Sequence, residues 1–149
     1  MREQFTSQLK DAMKSGDKMK VATLRLVQAA LKDKDIEARG LGKTVSDDDV
    51  LALLQKMVKQ RQESLGIYEK AGREDLAAQE RGEIEIISGY LPKQMDEAAV
   101  KSAIAAAVSE TGAASVKDMG KVIGALKAKF SGQMDFGKVS GLVKAALGG

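Results

Sequence analysis

Apolar residues recur at helical spacing from one end of this chain to the other, and no segment keeps a period-two alternation. That single property removes sheets from consideration and predicts an all-α protein. The punctuation agrees. Ser15-Gly16-Asp17, Arg39-Gly40-Leu41-Gly42, Gly72, Thr111-Gly112 and Ser131-Gly132 interrupt the pattern at intervals suited to helices of ordinary length. The expected helices run over Arg2 to Ser15, Asp17 to Ala38, Asp47 to Ala71, Arg73 to Ser88, Asp96 to Glu110, Val116 to Phe130, and from Asp135 onward. Ser46 with Asp49 is the pattern of a capping box, and Asp47 and Asp48 beside it suit a helix N-terminus better than a metal site. The apolar stripes are Phe5, Leu9, Ala12 and Met13 on the first helix, and Val21, Leu24, Leu26, Val27, Leu31 and Ile36 on the second. The seven methionines read as core filler.

The only proline, Pro92, divides the pattern. Residues 1–92 are expected to form an N-terminal antiparallel domain of four helices, and residues 93–149 a small C-terminal three-helix bundle. Charge divides at the same place. Residues 1–92 hold 16 Lys+Arg and 16 Asp+Glu, whereas residues 93–149 hold 8 and 5, so the whole net charge of +3 lies in the second part.

Two helices in that part keep an unusual outer face. Plotted at about 100° per residue, Val116, Met119, Val122, Ile123, Leu126 and Phe130 point one way, and Lys117, Gly120, Lys121, Gly124, Lys127 and Ala128 the other. The last helix repeats this, with Phe136, Val139, Leu142, Val143, Ala146 and Leu147 inward and Gly137, Lys138, Gly141, Lys144 and Ala145 outward. A glycine inside a helix costs about 0.5–1 kcal/mol relative to alanine, and a solvated face gives no packing reason for it. Small residues interleaved with lysines let a helix lie close to a phosphodiester backbone, a contact that positions without reading sequence. With only 3% aromatic residues, base stacking on single strands is a poor alternative, and a folded nucleic acid recognised by shape is the better one. The Gly120–Gly124 pair lacks the apolar 20-residue setting of a membrane-dimer motif.

The chain has no histidine and no cysteine. It therefore lacks the commonest general base, the usual zinc ligands and every Ser-His or Cys-His arrangement. No catalytic residue, metal site or cofactor is expected. No apolar run reaches bilayer length and the first residues lack a signal-peptide core, so no membrane association and a cytoplasmic location are expected. A second polar group comprises Lys56, Lys59, Gln60, Arg61, Gln62 and Glu63, followed by Tyr68, Arg73, Asp75, Glu80, Glu83 and Glu85, in which Arg61 or Arg73 could clamp an anion. Glu80 and Glu83, at i,i+3, could act as acid/base or magnesium ligands. The stronger reading has Arg61 and Arg73 bridging carboxylates between antiparallel helices. Gly40-Leu41-Gly42-Lys43-Thr44 lacks the spacing of a phosphate loop.

Longer stretches carry a family likeness. Lys59-Gln60-Arg61-Gln62-Glu63-Ser64, Tyr68 through Ala77, Glu80, Glu83-Ile84, Tyr90-Leu91-Pro92, Asp118 through Gly124 and Asp135 through Ser140 together resemble the signature of the GatB/YqeY family, in order along nearly the whole chain. The resemblance implies an all-helical fold with a three-helix tail. It also implies kinship with the helical and tail region of the GatB subunit of glutamine-dependent aspartyl/glutamyl-tRNA amidotransferase, where the tail helps hold tRNA and other domains perform the chemistry. A similar module can extend an aminoacyl-tRNA synthetase. The family label of carbon–nitrogen ligase with glutamine as amide donor belongs to that larger enzyme, and 149 residues leave no room for its amidase domain. The expected partner is tRNA, held through Lys117, Gly120, Lys121, Gly124, Lys127, Lys138, Gly141 and Lys144. The alternative is a protein-interaction adaptor that docks an amidotransferase or synthetase on the surface from Lys56 to Glu85.

Overall fold

The computed structural model describes residues 1–148, in which seven α-helices and one short 3-10 turn account for all regular structure. The helices are α1 (Arg2–Ser15), α2 (Lys18–Gly40), α3 (Asp47–Lys70), α4 (Glu74–Ser88), α5 (Glu97–Thr111), α6 (Met119–Phe130) and α7 (Phe136–Ala146). The all-α expectation holds. None of these helices is long and apolar enough to cross a membrane. The chain separates into two compact units, Met1–Leu91 and the residues from Pro92 onward.

In the first unit α1 packs along α2, α3 and α4 form a close hairpin, and α2 also meets α3 and α4. Their shared core holds Phe5, Leu24, Val27, Leu31, Val50, Leu54, Met57 and Ile87, all buried. Each large aliphatic side chain there is worth about 1.5–3 kcal/mol of transfer free energy. Two polar clamps fix α1. Arg2 donates twice to the Asp35 carboxylate at 2.7 Å, and the Tyr90 hydroxyl donates to Gln8 Oε1. The Phe5 and Tyr90 rings meet edge to face with centroids 4.8 Å apart.

Local signals set the helix ends. The Ser46 hydroxyl accepts from the Asp49 N–H while the Asp49 carboxylate accepts from the Ser46 N–H, closing the expected capping box. At the end of α3 the Arg73 N–H reaches back to the Tyr68 carbonyl at 2.9 Å, with Gly72 at φ 72° between them. This is the left-handed closure that a glycine C′ residue permits.

In the second unit each of α5, α6 and α7 touches the other two. Ile104, Ala107, Val122, Leu126, Met134, Val139 and Val143 form the core. Asp96 starts α5 by accepting from the Ala99 N–H at 2.7 Å. The segment before it is fastened to the α6–α7 connection, where Gln94 donates to the Gly132 carbonyl and the Met95 N–H to that of Gln133.

Several expectations are corrected. Met13 (54% exposed), Leu26 (45%) and Ile36 (58%) are not core residues. The apolar arc of α2 is wider than the surface its neighbours cover, so its far edge stays in solvent. Met13 is an exposed methionine and not filler, and Met19 is half exposed although its sulfur lies against Gly82. On α7 the bundle covers Val139 and Val143, one turn apart, while Leu142 and Ala146 remain exposed. The helix expected over Val116 to Phe130 begins as a 3-10 turn, Val116–Asp118, and becomes α-helical only at Met119.

Candidate nucleic-acid interface

The glycine and lysine positions sit where helix periodicity places them. Gly120, Lys121, Gly124 and Lys127 on α6 and Lys138, Gly141 and Lys144 on α7 are all exposed. They lie opposite the buried pairs Val122–Leu126 and Val139–Val143. Lys117 is exposed too, but it stands on the 3-10 turn and so outside the periodicity of α6.

A methyl group placed on Gly120, Gly124 or Gly141 would meet nothing within 4 Å. None of the three has a positive φ. Neither packing nor backbone conformation asks for glycine at these sites. Gly137 differs, because its Cβ would approach Asp135 Oδ1 at 3.1 Å. That carboxylate caps α7 by accepting from the Gly137 and Lys138 N–H groups, so Gly137 has a local reason of its own.

The arrangement recurs at a fixed interval. Asp118, Gly120, Lys121, Val122, Gly124, Lys127 and Ala128 are matched seventeen residues on by Asp135, Gly137, Lys138, Val139, Gly141, Lys144 and Ala145. The two aspartates nonetheless act differently. Asp118 turns back to accept from the Ala114 and Ser115 N–H groups at 2.9 and 3.4 Å. These bonds hold its carboxyl below the usual carboxylate range.

Charge on these helices is only partly committed. Lys129 pairs with Glu110 of α5 at 2.9 Å. Lys127 places its ammonium 5.7 Å from the centre of the Phe136 ring. Lys117, Lys121, Lys138 and Lys144 form no ion pair among the described residues. Four ammonium groups without an ion pair among the described residues, beside three glycines on two helices with open space above them, can attract and closely approach a polyanion. They provide no nucleophile and no positioned base.

The second polar group is largely internal to the first unit. Arg61 on α3 donates to Glu83 on α4 at 3.0 Å and to the Met57 carbonyl, and the pair is mostly buried, at 15% and 10% side-chain exposure. Arg61 thus bridges the helix hairpin as expected. Arg73 does not; it pairs with Asp75 two residues on, at the surface, because it sits in the turn itself. Arg81, which the sequence did not single out, pairs at the surface with Glu74 on its own helix and lies 3.9 Å from Glu69 across the hairpin. Glu80 has a buried carboxylate oxygen without a hydrogen-bond partner. Burial, and then the negative charge of Glu83, push its carboxyl up, with Arg61 opposing.

Comparison with known proteins agrees with the helical pattern. The family model described as Yqey-like protein matches residues 2–147. Among curated proteins, "Altered inheritance of mitochondria protein 41, mitochondrial" from Saccharomyces cerevisiae is 34% identical over 83 residues. The protein of the same name from Vanderwaltozyma polyspora is 37% identical over 84 residues, and that from Lachancea thermotolerans 36% over 83. Each match covers 56% of this chain, but only 43–44% of the relative's length. With its family model matched over nearly every residue, this all-helical chain belongs to the Yqey-like protein family.

Proposed function

We propose that the C-terminal unit binds folded RNA, tRNA first, by shape and phosphate charge, and that the chain is an accessory module without chemistry of its own. The observation that carries this reading is the open space over Gly120, Gly124 and Gly141 beside the unpaired Lys121, Lys138 and Lys144. The likeness to the amidotransferase tail supports tRNA as the RNA, and the cytoplasm is the proposed compartment. The yeast relatives carry "mitochondrial" in their name.

The test is binding of purified full-length protein to deacylated tRNA at several salt concentrations. Log affinity should fall with log salt by about 0.7–0.9 per phosphate contacted. Lys121→Glu/Lys144→Glu should weaken binding and flatten that slope by about two contacts' worth. Equal affinities and slopes for variant and wild type would remove this face from the proposal.

A second reading, an adaptor for an amidotransferase or synthetase, has one observation in its favour. Ile67, on the surface between Lys56 and Glu85, is 65% exposed. Recovery of a discrete amidotransferase or synthetase after nuclease treatment, lost with Ile67→Asp, would favour it over RNA binding.

A further inference from the structure

Helix α2 lies against α1, α3 and α4 on one side, through Leu24, Val27 and Leu31. Its opposite side is exposed and has an order of its own. Ala22, Leu26, Ala29, Asp33 and Ile36 are all exposed and follow one another at alternating steps of four and three; Met19, one step before them, is partly exposed but lays its sulfur against Gly82 of α4. That is the a/d spacing of a coiled-coil seam. In this register every g position is basic: Lys18, Arg25, Lys32 and Arg39 recur at intervals of seven, all exposed. None of the four forms an ion pair among the described residues. An unbroken basic column runs the length of this 23-residue helix, about 34 Å at 1.5 Å per residue, beside a seam left open from Ala22 to Ile36.

We infer that this face of α2 is a docking surface for an acidic amphipathic helix of a partner protein. The charge pattern selects the occupant. In a second copy of this chain, antiparallel pairing would set the basic columns against each other. Parallel pairing would oppose them with the e positions Thr23, Ala30 and Glu37, which offer a single carboxylate. A nucleic acid would use the column but has nothing to fill the seam at Leu26 and Ile36. A lipid surface would have to accept Asp33 in the middle of its apolar contact, at a desolvation cost that a helix can avoid. A partner helix with leucines or isoleucines on its seam, and glutamates along the edge facing the column, satisfies every position except Asp33. There it would carry a lysine, and that one charged seam position would fix the register. The surface belongs to the first unit, and the inference does not depend on the role of the glycine–lysine faces.

A synthetic four-heptad peptide with this pattern tests the inference against full-length protein, with fluorescence anisotropy as readout. Its lysine-edged counterpart, deacylated tRNA and vesicles of equal parts phosphatidylcholine and phosphatidylglycerol are the comparisons. The glutamate peptide should bind saturably and at least about tenfold more tightly than the lysine peptide. Arg25→Glu/Lys32→Glu should invert that preference, and Leu26→Asp should abolish binding of both. All three residues are exposed, so the fold should persist by far-UV circular dichroism; if Leu26→Asp unfolds, the charge reversal decides alone. Equal binding of the two peptides, or no effect of the charge reversal, overturns the inference. So does vesicle or tRNA binding that the charge reversal removes while the glutamate peptide stays unbound.

Discussion

Replacing Gly124 and Gly141 with alanine should make the protein more stable and worse at binding RNA. Both glycines lie inside helices, α6 and α7, with φ in the ordinary range and open space where a Cβ would go. Alanine therefore brings no clash, and the helix-propensity difference of about 0.8–1 kcal/mol per site is gained in full. The sites lie on different helices with no shared partner, so the gains should add to about 2 kcal/mol. With a urea m-value of about 1–2 kcal/mol/M for units of this size, the midpoint should rise by about 1–2 M.

The same two methyl groups stand between the helix backbone and any surface resting on it. If phosphates approach these helices closely, each methyl should cost roughly threefold to tenfold in tRNA affinity, about 0.7–1.4 kcal/mol. The salt slope should change little, since no charge is removed. Urea titration and tRNA titration on one preparation read both quantities. A stabilised variant with wild-type affinity would refute the close-approach argument, because the glycines would then cost stability for nothing. A variant that is not stabilised would show that these faces are not open.

Three further outcomes follow from the first unit and the caps. Arg61→Met should destabilise by about 3 kcal/mol in chemical denaturation, since it strands the buried Glu83 carboxylate. Arg61→Met/Glu83→Leu should recover part of that loss, since Gln79 also donates to Glu83 and Arg61 also offsets the charge of Glu80; no recovery at all would mean that the stranded Glu83 charge is not the cause. Glu80→Gln should raise stability at neutral pH by about 1 kcal/mol, because burial and Glu83 disfavour the charged form. A carboxyl raised on folding contributes stability that is full below its unfolded value, near 4.3, and is lost as pH rises through the folded one. The advantage of the glutamine variant should therefore appear between weakly acid and neutral pH; an advantage unchanged across that range would refute the cause given. Asp96→Ala should cost about 1 kcal/mol by uncapping α5, with Asp96→Asn close to wild type.

Helix existence was legible from periodicity, and caps such as Ser46, Gly72 and Asp96 were legible from residue type, because both are local properties. What periodicity lacks is the identity of the covering neighbour. Leu26 and Ile36 belong to an apolar arc broad enough to be called core, yet α1, α3 and α4 cover only the half containing Leu24, Val27 and Leu31. The step-of-seven basic column at Lys18, Arg25, Lys32 and Arg39 was visible in the sequence as well. It gains meaning only once the seam beside it is known to be exposed. Arg61 and Arg73 looked equivalent on paper. Arg61 has a helix facing it, whereas Arg73 occupies the turn and can reach only Asp75.

The glycines show how structure sharpens a sequence argument by elimination. A helical glycine has three ordinary explanations: a positive φ, a neighbour too close for a methyl group, or a ligand that needs the space. The first applies just past a helix end at Gly72, in the turn after α3, with φ 72°. Gly82 is explained by the second, since its Cβ would lie 2.1 Å from the Met19 sulfur. Gly120, Gly124 and Gly141 satisfy neither condition, and each lies on a face shared with lysines that form no ion pair among the described residues. Gly66 on α3 also satisfies neither condition, so open space alone does not call for a ligand; what sets Gly120, Gly124 and Gly141 apart is the lysines on the same face, and the proposed anionic ligand rests on both together. Periodicity alone could place these residues on the outside of a helix; it could not separate Gly124 from Gly82, which the sequence presents in equally helical surroundings.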